Sequence, residues 1–181
     1  MAGIARRLAL ACPDWPHLSL LPWALNHTPV PMRILVLTLG ALALSLSASA
    51  QDASYTAAYG EYSLRAGFTP DPLAVEVVAG GGNNVRVSSR CDYGRVGDAP
   101  DVEVTYSGST GSDLFIYAVS SVDTTLLINL PDGRWVCNDD SYGDGDPLVR
   151  LGGAAGVYDI WVGTFGTTAD ATLMVSEIDP R

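Results

Sequence analysis

Residues 123–164 read DTTLLINLPDGRWVCNDDSYGDGDPLVRLGGAAGVYDIWVGT, and this stretch decides the predicted fold. Leu126, Ile128 and Leu130 alternate with other positions, which is the period-2 pattern of a strand with one buried face. Pro131-Asp132-Gly133 is typical of a tight turn, because proline presets φ, aspartate can hydrogen-bond its own backbone and glycine accepts positive φ. The pattern therefore predicts a strand, a turn and a returning strand that ends at Cys137.

A glycine-rich acidic loop, residues 138–146, follows this hairpin directly. It carries four aspartates, at positions 139, 140, 144 and 146, and no apolar pattern. Such a segment cannot contribute to a core, so it is either solvated or holds a cation. A glycine turn and a further strand, residues 158–162, complete the stretch.

The rest of the chain has the same character, with short apolar alternations separated by turns rich in Gly, Asp, Asn and Pro. We predict nine strands and no sustained helical period: residues 73–78, 85–88, 102–106, 114–119, 125–130, 135–137, 148–151, 158–162 and 171–176. Many short strands at this spacing predict an all-β fold, a single antiparallel β-sandwich that is jelly-roll-like.

An internal repeat underlies the strand pattern. Residues 71–119 and 123–162 each begin with an Asp-led strand, reach a cysteine, pass through an acidic loop and end in two further strands. Asp170 opens what looks like a third copy that stops after one strand. We therefore expect two similar halves packed face to face, although the turn chemistry of a β-sandwich can produce such echoes alone.

The last third of the chain carries turn and strand residues in a characteristic order: Asp123, Leu126, Pro131-Asp132-Gly133, Asn138-Asp139-Asp140, Gly156, Tyr158, Ile160, Val162 and Gly163. In this order they resemble the bacterial pre-peptidase C-terminal domain, a β-sandwich appended to secreted peptidases. Cys137 and Trp161 depart from the general pattern of that domain. The resemblance implies a β-sandwich that binds calcium, whereas peptidase activity belongs to the neighbours of such domains.

The N-terminal fifty residues are predicted to be a leader. Residues 34–46 are apolar but too few to span a bilayer comfortably, Arg33 precedes them, and Ala48-Ser49-Ala50 follows as a small-residue cleavage site. We expect a signal peptide over 32–50, a mature chain from Gln51, an N-terminal arm or edge strand over 51–66 and the sandwich over 67–181. A membrane anchor is the alternative to the signal peptide. Residues 1–31 are interpreted as a mis-assigned start before Met32 or, alternatively, as a long n-region.

Composition excludes several kinds of chemistry. The leader holds one of the 20 acidic residues (Asp14) and three of the 10 basic ones (Arg6, Arg7 and Arg33), so the mature chain carries 19 acids, 7 bases and a net charge of −12. That charge disfavours nucleic acid and anionic membrane as partners and attracts cations. The mature chain has no lysine, and both histidines (His17 and His27) lie in the leader. Ser-His-Asp, Cys-His and H-E-x-x-H chemistry are therefore absent, which leaves carboxylate or metal-bound-water chemistry for an enzyme.

The mature chain retains two cysteines, Cys91 and Cys137, because Cys12 lies in the leader. An even pair in an exported protein favours a disulfide between them. Two separate thiols are the alternative.

The acidic loop is the candidate metal site. Asp123, Asn138, Asp139, Asp140 and Asp146 offer the oxygen ligands that calcium prefers, although the spacing is not that of an EF-hand. A solvated loop that keeps sheet edges soluble is the other reading. Asp139 and Asp140 as an acid/base pair is a weaker one, because adjacent residues of an extended segment point to opposite faces.

Four aromatics, Trp135, Tyr142, Trp161 and Phe165, are candidates for a carbohydrate-stacking platform, although aromatics in a small sandwich are more often core. Trp161 alternates with Tyr158, Ile160 and Val162, so it must lie on the opposite face of its strand. We therefore expect Trp161 to be the ligand-facing aromatic.

These observations predict a secreted or periplasmic, non-catalytic binding or accessory module, with calcium as its expected cofactor. Its expected partner is a protein, peptide or polysaccharide at the cell surface, with no nucleic acid and no stable membrane insertion after cleavage of the leader. A carboxylate- or metal-dependent secreted hydrolase is the second function class. A structural envelope protein is the third.

Overall fold

The computed structural model describes residues 51–108 and 111–181, so the predicted leader, residues 1–50, lies outside the described residues. All regular elements in the described part are strands: β1 (Glu61–Arg65), β2 (Leu73–Ala79), β3 (Asn83–Asn84), β4 (Arg95–Val96), β5 (Val102–Ser107), β6 (Asp113–Ser120), β7 (Thr124–Asn129), β8 (Trp135–Asn138), β9 (Leu148–Gly152), β10 (Gly156–Thr164) and β11 (Ala169–Ser176). Within these residues we find no helix with the length and apolarity needed to cross a membrane.

The strands form two sheets that pack together as a β-sandwich, as the sequence predicts. In the larger sheet, the long strand β10 pairs with β7 on one side and with β5 and β4 on the other. The hairpin partner β8 extends this sheet beyond β7, and β1 extends it beyond β5. The smaller sheet has the order β2-β11-β6-β9. All pairings are antiparallel except β1 with β5, which is parallel, so the predicted arm supplies an edge strand.

The main core lies between the sheets and is built from the alternating residues of the sequence pattern. Leu126 and Ile128 of β7, with Tyr158, Ile160 and Val162 of β10, are buried there against Ile116 of β6 and Leu173 of β11. Leu127 of β7 and Trp161 of β10 point the other way, yet they do not face water either. They belong to a second, smaller core on the outer face of the larger sheet.

Each of the two predicted repeat units contributes strands to both sheets. Strands β5 and β10 lie in the larger sheet, whereas their counterparts β9 and β6 lie in the smaller one. In the larger sheet, β10 lies between β5 and β7. In the smaller sheet, its counterpart β6 lies between β9 and β11. The two predicted units therefore interleave, and each sheet of the sandwich contains strands from both.

One predicted strand is absent. Residues 85–88 form no strand; they belong to a covering segment, residues 84–96, that crosses the outer face of the larger sheet between the short strands β3 and β4. The approach is close: a Cβ on Gly94 would lie 2.4 Å from Thr125 Cγ2, and one on Gly163 would lie 2.8 Å from the Arg95 carbonyl oxygen. Glycine at both positions lets the segment lie directly on β7 and β10.

Candidate functional site

Trp161 is not a ligand-facing residue, so that expectation is wrong. The side chain does lie opposite Tyr158, Ile160 and Val162, but it is fully buried in the second core. Val85 and Val96 of the covering segment pack with it, and the ring of Trp135 lies 5.3 Å from its ring, centroid to centroid. Strand alternation identifies the face of a side chain, but it cannot reveal that a remote segment covers that face.

The predicted disulfide between Cys91 and Cys137 is confirmed, with the two Cα atoms 5.7 Å apart. Cys137 on β8 is directly opposite Leu127 on β7, which is opposite Trp161 on β10. Cys91 belongs to the covering segment. The bond therefore fastens this segment over the second core and, with it, over Trp161.

Two of the five predicted calcium ligands hold the acidic loop together through hydrogen bonds to backbone. The Asn138 side-chain oxygen accepts from the backbone N–H groups of Ser141 and Leu148, each at 2.9 Å. Asp146 is buried, and its Oδ1 accepts from the backbone N–H of Ser120 at 3.1 Å. Because these oxygens already accept hydrogen bonds, their present role is to position the loop.

The remaining carboxylates of the predicted set are Asp123, Asp139 and Asp140. Burial raises the pKa of Asp139, and the charges of Asp140 and Asp123 raise it further. The pKa of Asp146 is raised by burial and then by Asp144 and Asp123. Asp123 therefore lies close enough to both ends of the loop to repel each of them.

Mutual repulsion does not by itself make a cation site. Within residues 51–108 and 111–181, no three or more Asp, Glu, His or Cys side chains are arranged to hold a metal ion. Calcium binding by the acidic loop stays a prediction.

Of the four candidate aromatics, Phe165 is the exposed one, and it lies in the turn between β10 and β11. Its side chain is 47% exposed, whereas Trp135 packs on Trp161 and Tyr142 packs on Tyr117 of β6 with ring centroids 5.1 Å apart. Tyr93 of the covering segment stacks beside Phe165 at 6.4 Å with an interplanar angle of 18°. The Tyr93 hydroxyl donates to Cys137 Sγ at 3.1 Å, which links this ring to the disulfide.

A polar groove of about 380 Å³ runs along Phe165, and we call it the Phe165 groove. It is lined by Asn84, Arg86, Asp92, Gly94, Arg95 and Phe165. The Arg95 guanidinium is held in place by donating to the carbonyl oxygens of Gly81 and Gly82 at 3.2 and 3.0 Å. Arg86 is exposed and forms no ion pair within the described residues, since the three ion pairs there involve Arg134, Arg150 and Arg181.

Phe165 also borders a second hollow of about 180 Å³ on its other side. Val122, Asp123, Thr164 and the turn residues 166–167 line this hollow. One exposed aromatic ring therefore separates two concave, partly polar surfaces. The acidic loop lies close to Tyr93. Burial raises the pKa of Tyr93, and the charges of Asp139 and Asp140, which belong to that loop, and of Asp92 raise it further.

The sequence identified this site only in part. Phe165 was among the four candidate aromatics and Asp123 among the candidate ligands, but Tyr93, Arg86 and Arg95 were missed. Their signal was present: Arg86, Arg90 and Arg95 are three of the seven basic residues of the mature chain, and they lie within ten positions. Such a local excess of arginine in an acidic protein could have identified this segment as a candidate binding surface.

Comparisons with known proteins found no match to this chain among protein-family models, curated proteins or solved structures. The resemblance to the pre-peptidase C-terminal domain therefore stays a prediction from the sequence.

Proposed function

We propose that the chain is an exported, non-catalytic binding module that holds a saccharide chain across Phe165. The observation that carries this proposal is an exposed aromatic ring set between a polar groove and a second, mainly apolar hollow. A pyranose has one face of C–H groups and a rim of hydroxyls, and it needs an aromatic surface with hydrogen-bonding side chains at its edge. Binding sites of this kind combine apolar contact area with a few well-placed polar groups.

The polar groups beside the ring suit hydroxyl recognition. Asn84 supplies a donor and an acceptor, Asp92 supplies acceptors, and Arg86 supplies donors that no carboxylate occupies within the described residues. The second hollow, on the far side of Phe165, has room for part of a neighbouring sugar. An oligosaccharide of several units fits this arrangement better than a single sugar does.

Export and the absence of catalysis complete the proposal. Export is supported by the signal-like leader and by an even cysteine pair, which is typical of an oxidising compartment. A non-catalytic role is supported by the lack of histidine and lysine in the mature chain. A polysaccharide of the cell surface is then the expected partner, and the calcium predicted at the acidic loop would stabilise the module.

The test is binding of the purified protein to a glycan array and to insoluble chitin, cellulose, xylan and peptidoglycan. Phe165→Ala should weaken binding to the glycans retained by the native protein at least about tenfold, since loss of a central aromatic contact exceeds about 1.4 kcal/mol. Arg86→Ala should weaken it less. Tyr55→Ala is the matched control, because it removes an aromatic that is 53% exposed and lies outside the groove.

Native protein that retains no glycan, or a Phe165→Ala variant that binds as tightly as Tyr55→Ala, would contradict the proposal. Release of reducing sugars from a bound polysaccharide would instead favour the carboxylate-dependent hydrolase. The structural envelope protein would be favoured by tight attachment to the envelope that Phe165→Ala leaves unchanged.

A further inference from the structure

A row of acidic and amide side chains crosses the outer face of the larger sheet, away from the Phe165 groove. Asp159 on β10 is directly opposite Glu103 on β5 and directly opposite Asn129 on β7. Glu61 on β1 and Trp135 on β8 are the next partners in register at the two ends. Residues directly opposite each other share a face, with Cβ atoms about 4.5–5.5 Å apart. We call Glu103, Asp159 and Asn129 the carboxylate row.

Asp159 is the unusual member of this row, because it is a buried carboxylate without a partner. Its side chain is 5% exposed, and Oδ1 has no hydrogen-bond donor among the described residues. None of the three ion pairs in the described part of the chain includes it. Burying a charge without pairing or hydrogen bonds is strongly unfavourable, so this group must recruit a proton, a water or a cation.

Its neighbours in the row add oxygen atoms and no positive charge. Glu103 is a half-buried carboxylate, and like charges directly opposite each other destabilise a sheet. The Asn129 amide nitrogen donates to the Gly133 carbonyl oxygen at 3.4 Å, which leaves its Oδ1 as a free acceptor among the described residues. Three neighbouring strands thus present a carboxylate, a buried carboxylate and an amide oxygen side by side.

We propose that the carboxylate row is a binding site for a calcium-sized divalent cation, separate from the acidic loop. The cation would be held by oxygens of Glu103, Asp159 and Asn129, with water completing a coordination shell of six to eight oxygens. Calcium suits this set because it accepts irregular geometry and mixed carboxylate and amide ligands. Magnesium demands octahedral geometry that three rigid strands do not readily supply.

The experiment is thermal unfolding of the full chain in chelator, in calcium and in magnesium at pH 7.5. Native protein should show a calcium-induced rise in Tm of several degrees, and a smaller rise in magnesium. Asp159→Asn and Glu103→Gln should each remove at least half of that rise. In chelator, Asp159→Asn should unfold at the same or a higher temperature than native protein, because a buried unpaired charge has been removed.

Two variants serve as controls. Glu76→Gln removes an exposed carboxylate on the other sheet and should keep the full calcium response. The double variant Asp139→Asn/Asp140→Asn removes charge from the acidic loop. It should keep the part of the calcium-induced rise in Tm that comes from the carboxylate row. Terbium offers a second readout, because emission sensitised by Trp135 should fall in Glu103→Gln, a half-buried position where folding is least at risk.

Three results would each overturn the proposal. The first is a native protein without a calcium response at pH 7.5, which would mean that a proton or a water satisfies Asp159. The second is a full calcium response in both Asp159→Asn and Glu103→Gln. The third is complete loss of the response in the loop double variant, which would assign all calcium binding to the acidic loop.

Discussion

At the scale of single residues, a buried carboxylate also lies where the N-terminal arm meets the larger sheet. Asp101 is 5% exposed, and its Oδ2 accepts a hydrogen bond from the backbone N–H of Val162 at 2.7 Å. Its own backbone bonds to Ile160 on one side and to Tyr59 on the other. Asp101 therefore joins three segments that are far apart in sequence, and its protonation affects how well they hold together.

Asp101 should make the protein less stable as pH rises. Burial raises the pKa of Asp101 from its ordinary value of 3.8 to about 7, against the opposing effect of the Val162 hydrogen bond. Since the folded pKa is the higher one, the contribution of Asp101 is fully present below about pH 3.8 and is lost as pH rises through about 7. We expect a few kcal/mol of stability to disappear across this window.

Asp101→Asn keeps an acceptor for the Val162 N–H and removes the titration. Denaturant unfolding between pH 4 and pH 8 should show a smaller pH dependence for the variant than for native protein. The difference between the two curves isolates Asp101 from Asp159, which titrates in both. Two parallel curves would contradict this account.

At the scale of elements, the covering segment and the acidic loop depend on fastenings outside the strand ladders. The disulfide attaches the covering segment to β8, and Asn138 closes the acidic loop through two backbone N–H groups. Neither segment has a long ladder of its own, because β3 and β4 contain two residues each. Loss of either fastening should therefore act locally first.

Replacing both cysteines by serine should release the covering segment. The bond closes a loop of 46 residues, for which the chain-entropy model gives about 4 kcal/mol of stabilisation. We expect a loss of that order in urea unfolding. We also expect red-shifted tryptophan fluorescence before global unfolding, as Trp161 and Trp135 gain water. A double variant with native stability and native emission would show that apolar packing alone holds the segment.

The acidic loop can be tested for closure and for calcium in one series of melts. Asn138→Ala should lower the free energy of unfolding by about 2 kcal/mol, because it leaves two backbone N–H groups without a hydrogen-bond acceptor. Asp139→Asn should be neutral or stabilising in chelator, since it reduces repulsion with Asp140 and Asp123.

If calcium binds the loop as the sequence predicts, saturation at about a hundred times Kd adds roughly 2.7 kcal/mol to the free energy of unfolding, and Asp139→Asn/Asp140→Asn reduces that gain. An unchanged calcium response in this double variant would return the loop to a solvated role.

At the scale of the whole molecule, the residues that follow the predicted cleavage point contact the covering segment and the second core. Gln51 is 5% exposed, and its amide nitrogen donates to the Asn84 carbonyl oxygen at 3.2 Å, at the start of the covering segment. Ala53 packs against the second core. The residues just after the predicted signal peptide are therefore part of the outer layer of the larger sheet.

Processing has a direct measurement. Mass spectrometry of the exported protein should find a mature N-terminus near Gln51, because Ala48-Ser49-Ala50 precedes it after an apolar run. An exported product that begins before Met32 would contradict both the cleavage site and the proposed start. Retention of residues 34–46 in a membrane fraction would favour an anchor instead.

The sequence by itself determined the features of this protein that depend on neighbouring residues. Eight of the predicted strands are present, because strand alternation and turn chemistry act over a few positions. The pairing of Cys91 with Cys137 also followed from the sequence, because only two cysteines remain after the leader. The face of Trp161 was predicted correctly for the same reason that strands were: side chains alternate along an extended backbone.

Only the tertiary structure decided what lies against each face. In the folded protein the covering segment, residues 84–96, buries Trp161. The Asn138 side-chain oxygen accepts hydrogen bonds from the backbone N–H groups of Ser141 and Leu148. The tertiary structure also placed Phe165 beside Tyr93 and set Glu103, Asp159 and Asn129 side by side. These contacts join residues from separate strands, and their pairing depends on strand order and register, which local pattern does not encode.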